Sequence, residues 1–147
     1  MLVAHGAMIL VVDGAKMSLF RNRRKDFVAD LEVIEETRHH AASTSALGTD
    51  KPGRSFSSSG RGRSAHESAD FHQIEEDTFA TGVIGKLNTM AQQSSLDFII
   101  VAAPHVLGVM RKQYSAALRG CLRAEIAKDY AGRHANDVAE LLRNHEA

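Results

Sequence analysis

The chain has 147 residues, with eighteen Lys+Arg against eighteen Asp+Glu, 44 % hydrophobic and 24 % charged residues. That leaves room for one domain, residues 1–147, of ordinary globular composition, and excludes wholesale disorder, collagen and coiled coil. A formal net charge of zero removes the global basic excess of a protein that coats nucleic acid, so any such contact has to be local.

The single cysteine, Cys121, cannot close an internal disulfide, and no apolar run reaches the ~18 residues of a spanning helix. The run Ala7–Val12 is too short for a secretion signal and lacks a basic flank and a cleavage site. The expectation is a cytoplasmic protein without membrane contact.

In chain order, Ala7-Met8-Ile9-Leu10-Val11-Val12 predicts a buried strand. Asp13-Gly14 is suited to a type I′ turn into a hairpin partner bearing Met17, Leu19 and Phe20, ahead of the basic stretch Arg21–Lys25. Leu31, Val33 and Glu35 alternate with Glu32, Ile34 and Glu36, which predicts a third strand with two unlike faces. Residues 41–69 hold eight serines, four glycines and Pro52, with only Leu47 and Phe56 as large apolar residues. No element fits this composition, and a long loop is expected.

Asp70 with Gln73 is a capping-box-like start, and Phe71, Ile74, Phe79, Val83, Leu87 and Met90 recur at helical spacing. They predict an amphipathic helix to about Gln93, weakened at Gly82 and Gly85. Leu96–Ala103 predicts another apolar strand, and Pro104 suits the first turn of a helix whose Leu107, Met110, Tyr114, Leu118 and Cys121 form one stripe. Ala124–Ala131 allows a short strand around Ile126; Gly132 ends it, and Asn136 is placed to cap a last helix carrying Val138, Leu141 and Leu142. The order β-β-β-loop-α-β-α-β-α predicts an α/β fold. Its mixed sheet combines an antiparallel meander with β/α units and carries helices on its faces, in the general ribonuclease-H-like manner.

That order raises the chemistry of a metal-dependent nuclease, which needs several carboxylates around two metal ions. Asp13 ends the first strand, and Glu75 or Glu76 on the first helix could join it. The fourth strand, however, ends in Ala102-Ala103-Pro104 without the carboxylate such a site requires, and Asp13-Gly14 is explained as a turn. His39, His40, His66 and His72 flank the polar loop, but consecutive His39 and His40 on a strand would point to opposite faces, with no Cys or closely spaced carboxylate to join them. His5, His105, His134 and His145 have no recognisable partners.

Ser55, Ser57, Ser58 and Ser59 lie in no G-x-S-x-G elbow, and Cys121 falls on an apolar helix stripe. Gly60-Arg61-Gly62-Arg63-Ser64 matches neither a Walker loop nor a dinucleotide fingerprint. No catalytic residue, metal or cofactor is therefore expected. The charge of the loop says more. Lys51, Arg54, Arg61 and Arg63 fall between residues 51 and 64 with no acid among them, in a Ser/Gly-rich context. Arginines with hydroxyls and backbone amides suit phosphate contacts, and Arg-rich segments fold on RNA. Lys51, Arg54, Ser55, Arg61, Arg63, Ser64 and His66 are the candidate RNA-binding residues; a loop that binds a protein partner is the alternative.

A set of motifs carries a further signal. Ile9-Leu10-Val11-Val12-Asp13-Gly14-Ala15-Lys16, Gly53-Arg54-Ser55, Arg63-Ser64-Ala65-His66-Glu67, Asp70-Phe71-His72 and Phe79-Ala80 come in order. Phe98-Ile99-Ile100-Val101-Ala102-Ala103-Pro104, Leu107-Gly108 with Arg111, and Glu125-Ile126-Ala127-Lys128-Asp129 follow. In order and spacing, over nearly the whole chain, they resemble the bacterial host-attachment protein family. That family is similar to the central domain of archaeal and eukaryotic peptide-release factors and their ribosome-rescue relatives.

The resemblance implies a meander, a loop and a long helix, with the loop in the place where release factors carry Gly-Gly-Gln into the peptidyl-transferase centre. This chain has no Gly-Gly-Gln and no glutamine from Ala41 to Asp70. The resemblance therefore implies a non-enzymatic module that binds the ribosome or ribosomal RNA, in dormancy, stress or rescue. A protein-interaction adaptor linked to host attachment is the second expectation, and a metal-dependent nuclease the third and least favoured.

Overall fold

The structure is a computed structural model that describes residues 1–39 and 61–146, with side chains described for 1–39 and 70–146. The strands are β1 (Met8–Val12), β2 (Lys16–Asn22), β3 (Leu31–Arg38), β4 (Phe98–Ala102) and β5 (Leu122–Ile126). The helices are α1 (Arg61–Gln93), α2 (Pro104–Arg111), α3 (Ala116–Cys121) and α4 (Ala135–Asn144). One mixed sheet runs β3-β2-β1-β4-β5. β1 is antiparallel to β2 and parallel to β4, β2 is antiparallel to β3, and β4 is parallel to β5. This is the expected α/β architecture, with the two most apolar runs at the centre.

Every residue of β1 and β4 is buried, because helices cover both faces of the sheet and leave no side of these strands to water. On one face Leu10, Leu19, Phe98 and Ile100 pack against Ile84, Leu87, Leu107, Met110 and Leu118 from α1, α2 and α3. On the other, Ile9, Val11, Phe20, Ile99 and Val101 pack against Val138, Ala139, Leu141 and Leu142 of α4. At ~1.5–3 kcal/mol for each large apolar side chain removed from water, these two layers dominate the favourable side of folding.

The structure corrects several sequence expectations. The Asp13-Gly14 turn is not type I′, since neither Gly14 nor Ala15 is at positive φ. Instead the Asp13 carboxylate accepts hydrogen bonds from the amides of Ala15 and Lys16, each at 2.8 Å, an Asx turn that needs no left-handed residue. In β3 the alternation breaks at Ile34, which is squeezed out between Val33 and Glu35 opposite Phe20 and Leu19. Val33 and Ile34 are both exposed as a result.

α1 starts at Arg61, inside the stretch expected to be loop, because helix propagates cooperatively from the well-anchored downstream turns through residues that carry no periodic apolar signal. Phe71 and Ile74, expected in its apolar stripe, are exposed. The long helix expected after Pro104 is two, α2 and α3, broken between Arg111 and Ala116 where Ser115 caps α3 by accepting from the Leu118 amide. β5 ends at Ile126 rather than surrounding it. α4 is capped by His134, whose ring accepts from the Asn136 amide, and not by Asn136.

Candidate functional site

β1 and β4 are parallel neighbours whose chains leave in opposite directions, β1 toward β2 and β4 toward α2 and β5. The crest beyond their carboxyl ends is therefore the topological switch point of the sheet, where open α/β proteins place ligands. Asp13 and Gly14 follow β1 there, Ala103, Pro104 and His105 follow β4, and α1 passes over them. α1 is 33 residues long, about 50 Å at 1.5 Å per residue. Among the residues of α1 whose side chains are described, 70–93, the buried ones run from Ala80 to Ala91. The turns before Ala80 stand over the crest and beyond it.

Three contacts seat that part of α1. Glu76 lies against the Asp13-Gly14 turn so closely that a Cβ on Gly14 would sit 2.7 Å from its Cγ. This close approach is the reason for a glycine there. His39 at the end of β3 stacks on Phe79, with ring centroids 5.7 Å apart. Its Nε2 lies 3.8 Å from Glu75 Oε2, and both atoms are shut off from solvent without a hydrogen-bond partner.

The third contact is a polar knot. The Gln73 amide donates to Asp77 Oδ1 at 2.8 Å and lies 2.7 Å from His105 Nε2, which is itself 3.1 Å from the same Asp77 oxygen. An acid, an amide and an imidazole thus converge from α1 and the start of α2 on an exposed point, a group able to orient a polar partner or carry a proton. His105 and His134, for which the sequence offers no recognisable partner, both have one. A signal for the knot is present in the chain, since Gln73 and Asp77 are four apart on a helix and His105 follows the proline that ends β4. Only the packing of α1 across β4 brings them together.

The crest is acidic: Asp13, Glu75, Glu76 and Asp77 line it. Asp13 is committed to its turn. Among the described residues no group of three or more His, Cys, Asp or Glu side chains is placed to hold a metal ion, and Ala102 and Ala103 at the end of β4 supply no ligand.

A second polar cluster fixes α2 against β5. Glu125 accepts from Arg111 Nε at 3.1 Å and from the Tyr114 hydroxyl at 2.5 Å. Burial pushes the Glu125 carboxyl up, but the Arg111 guanidinium and the Tyr114 hydroxyl outweigh it and hold the group below its ordinary value. Burial, reinforced by the bond to Glu125, raises the Tyr114 phenol well above its own.

Of the candidate RNA-binding residues, Lys51, Arg54 and Ser55 lie outside the described residues. Arg61, Arg63, Ser64 and His66 fall in the first two turns of α1, at the end remote from the core. The element that carries them is thus a helix end and not the loop expected.

The amino-acid sequence itself matches a family model over most of its length. Residues 6–142 fit the bacterial archaeo-eukaryotic release factor family 12. The chain belongs to this family. No curated protein matches it. Among the described residues no helix is long and apolar enough to cross a membrane.

Proposed function

We propose that the protein is a non-enzymatic, ribosome-associated module that contacts ribosomal RNA through the basic stretch formed by Lys51, Arg54, Arg61 and Arg63, with Ser55, Ser64 and His66 beside it, in dormancy, stress or rescue. The family match over residues 6–142 carries this reading. The charge distribution supports it. The crest with Asp13, Glu75, Glu76 and Asp77 repels phosphate, so contact with RNA falls to the basic stretch between residues 51 and 64, which contains no acid. Without Gly-Gly-Gln, and with no glutamine between Ala41 and Asp70, the module binds without releasing peptide.

The test is co-sedimentation with ribosomes on sucrose gradients, over a series of salt concentrations. Four phosphate contacts give a fall of log affinity with log salt of slope roughly −2.8 to −3.6. Replacing Arg54, Arg61 and Arg63 together with Ala should weaken association and flatten that slope, with the melting temperature nearly unchanged. Equal co-sedimentation of parent and triple variant, or none by the parent under starvation, overturns the reading in favour of an adaptor that binds protein.

A further inference from the structure

The outward side of α1 is built unlike the surface of an ordinary amphipathic helix. At about 100° per residue, the sector turned away from the core between Phe71 and Thr89 contains no charged residue, where a surface helix normally carries its charges. Its flanking Glu75 and Lys86 are turned to β3, toward His39 and Glu35 respectively. Two large apolar side chains stand out of this sector, Phe71 at 43 % exposure and Ile74 at 64 %.

The threonines in it are apolar in effect. Thr78 donates its hydroxyl back to the Ile74 carbonyl at 2.8 Å and Thr89 to the Gly85 carbonyl at 3.2 Å, which consumes the polar atoms within the helix. A Cβ on Gly82 or Gly85 would meet nothing within 4 Å, so no close approach within the chain, among the described residues, requires a glycine at either position. Each costs the helix about 1 kcal/mol relative to alanine.

These features are complementary to one another. Phe71 and Ile74 stand as far before Thr78, in opposite order, as Gly85 and Gly82 stand after it. If two α1 helices lie antiparallel with a two-fold axis at Thr78, Phe71 of each falls on Gly85 of the other and Ile74 on Gly82. Thr78 meets its own copy. This is the reciprocal pattern of an isologous interface, with large side chains entering the gaps that the glycines leave.

We propose that this face of α1 is the contact surface of a homodimer, the occupant of each face being the same face of a second copy. With the two-fold axis at Thr78 the overlap runs from Phe71 to Gly85, about 21 Å long and about 10 Å wide. That footprint of roughly 200 Å² is far below the ~800 Å² per partner of stable complexes, so the dimer is a weak, reversible one, with a dissociation constant on the order of 100 μM to 1 mM.

The experiment is sedimentation velocity of the full chain over a concentration series spanning that range, on the parent and on Gly82→Leu. The space around Gly82 means the monomer accommodates leucine, and the helix gains propensity, so the variant should melt no lower than the parent while its association falls at least tenfold. A second measurement is oxidative cross-linking in a Cys121→Ser background. Thr78→Cys, on the axis, should form a covalent dimer, whereas Thr89→Cys, about 16 Å along the helix from the axis, should not. A parent that stays monomeric throughout, as it would if the face served a different protein, overturns the proposal. So does a Gly82→Leu variant that associates like the parent, or equal cross-linking at both positions, which would mean a parallel or unspecific contact.

Discussion

Asn22 offers the sharpest test of how the fold is held at the end opposite the crest. It closes β2, is fully buried, and is one of two buried polar residues among those described, the other being Ser18. Its side-chain amide donates to the Val3 carbonyl at 3.0 Å and the Ala4 carbonyl at 3.3 Å, and its side-chain oxygen accepts from the Asp30 amide at 2.9 Å. Its backbone amide donates to Ala7 at 2.9 Å, and its carbonyl accepts from Gly6 at 2.8 Å. One residue therefore ties the segment before β1 to the loop before β3.

Asn22→Ala leaves the Val3 carbonyl and the Asp30 amide without their partner. At ~1–3 kcal/mol for each of the two groups left unsatisfied, the loss is about 2–6 kcal/mol. At about 3–4 °C per kcal/mol for a domain of this size, the melting temperature should fall by roughly 6–24 °C. Urea unfolding should show a lower midpoint with an unchanged slope. Asn22→Asp sharpens the test: its second carboxylate oxygen would face two carbonyls, which raises the folded-state pKa above the unfolded value. The folded state then binds the extra proton, so this variant's deficit should shrink as pH falls from 7 toward 4 and grow as pH rises. An Asn22→Ala variant within about 0.5 kcal/mol of the parent would refute the reasoning, since that is the range of an ordinary surface change.

Other expectations follow from single contacts. Glu125→Gln should destabilise at neutral pH and match the parent in acid: a carboxyl held below its ordinary pKa stabilises above the unfolded pKa and loses that contribution as pH falls through its folded value. Urea midpoints at the two pH values check it. Gly14→Ala places a Cβ 2.7 Å from Glu76 Cγ and 2.8 Å from Glu76 Cβ; rotation of the glutamate cannot move its own Cβ, so the turn or α1 has to shift, at a cost of about 1–3 kcal/mol, and Glu76→Ala in the same chain, which keeps that Cβ, should recover only part of it in a thermal melt. Phe27 is exposed and sits at φ 64, so Phe27→Gly should stabilise by about 0.5–1 kcal/mol through relief of the left-handed strain, read as a higher melting temperature. Ile100→Asp buries an unpaired charge at a fully buried position in β4 and should prevent soluble folding.

The architecture was legible in the chain because burial on both faces leaves a continuous apolar run that needs no partner to be recognised. Ala7–Val12 and Leu96–Ala103 read as central strands for that reason, and the alternation of strand and helix after them fixed the mixed sheet. Local chemistry was less decisive. The Asp13-Gly14 pair fits two kinds of turn, and only the hydrogen bonds of the Asp13 carboxylate separate them. The start of α1 was hidden because Arg61–Ala69 carries no apolar periodicity. Phe71 and Ile74 were misplaced because their spacing matches the core stripe while the sheet beneath them has already ended.

The polar knot was decided wholly by tertiary structure. Gln73 and Asp77 are neighbours on one helix turn, but His105 reaches them only because β4 lies beside β1 and delivers Pro104 to the crest under α1. Periodicity reports which side of an element is apolar; it holds no information on which two elements cross. Contacts between residues 28 or more positions apart, as between Asp77 and His105, exist only once the sheet has set the strand order.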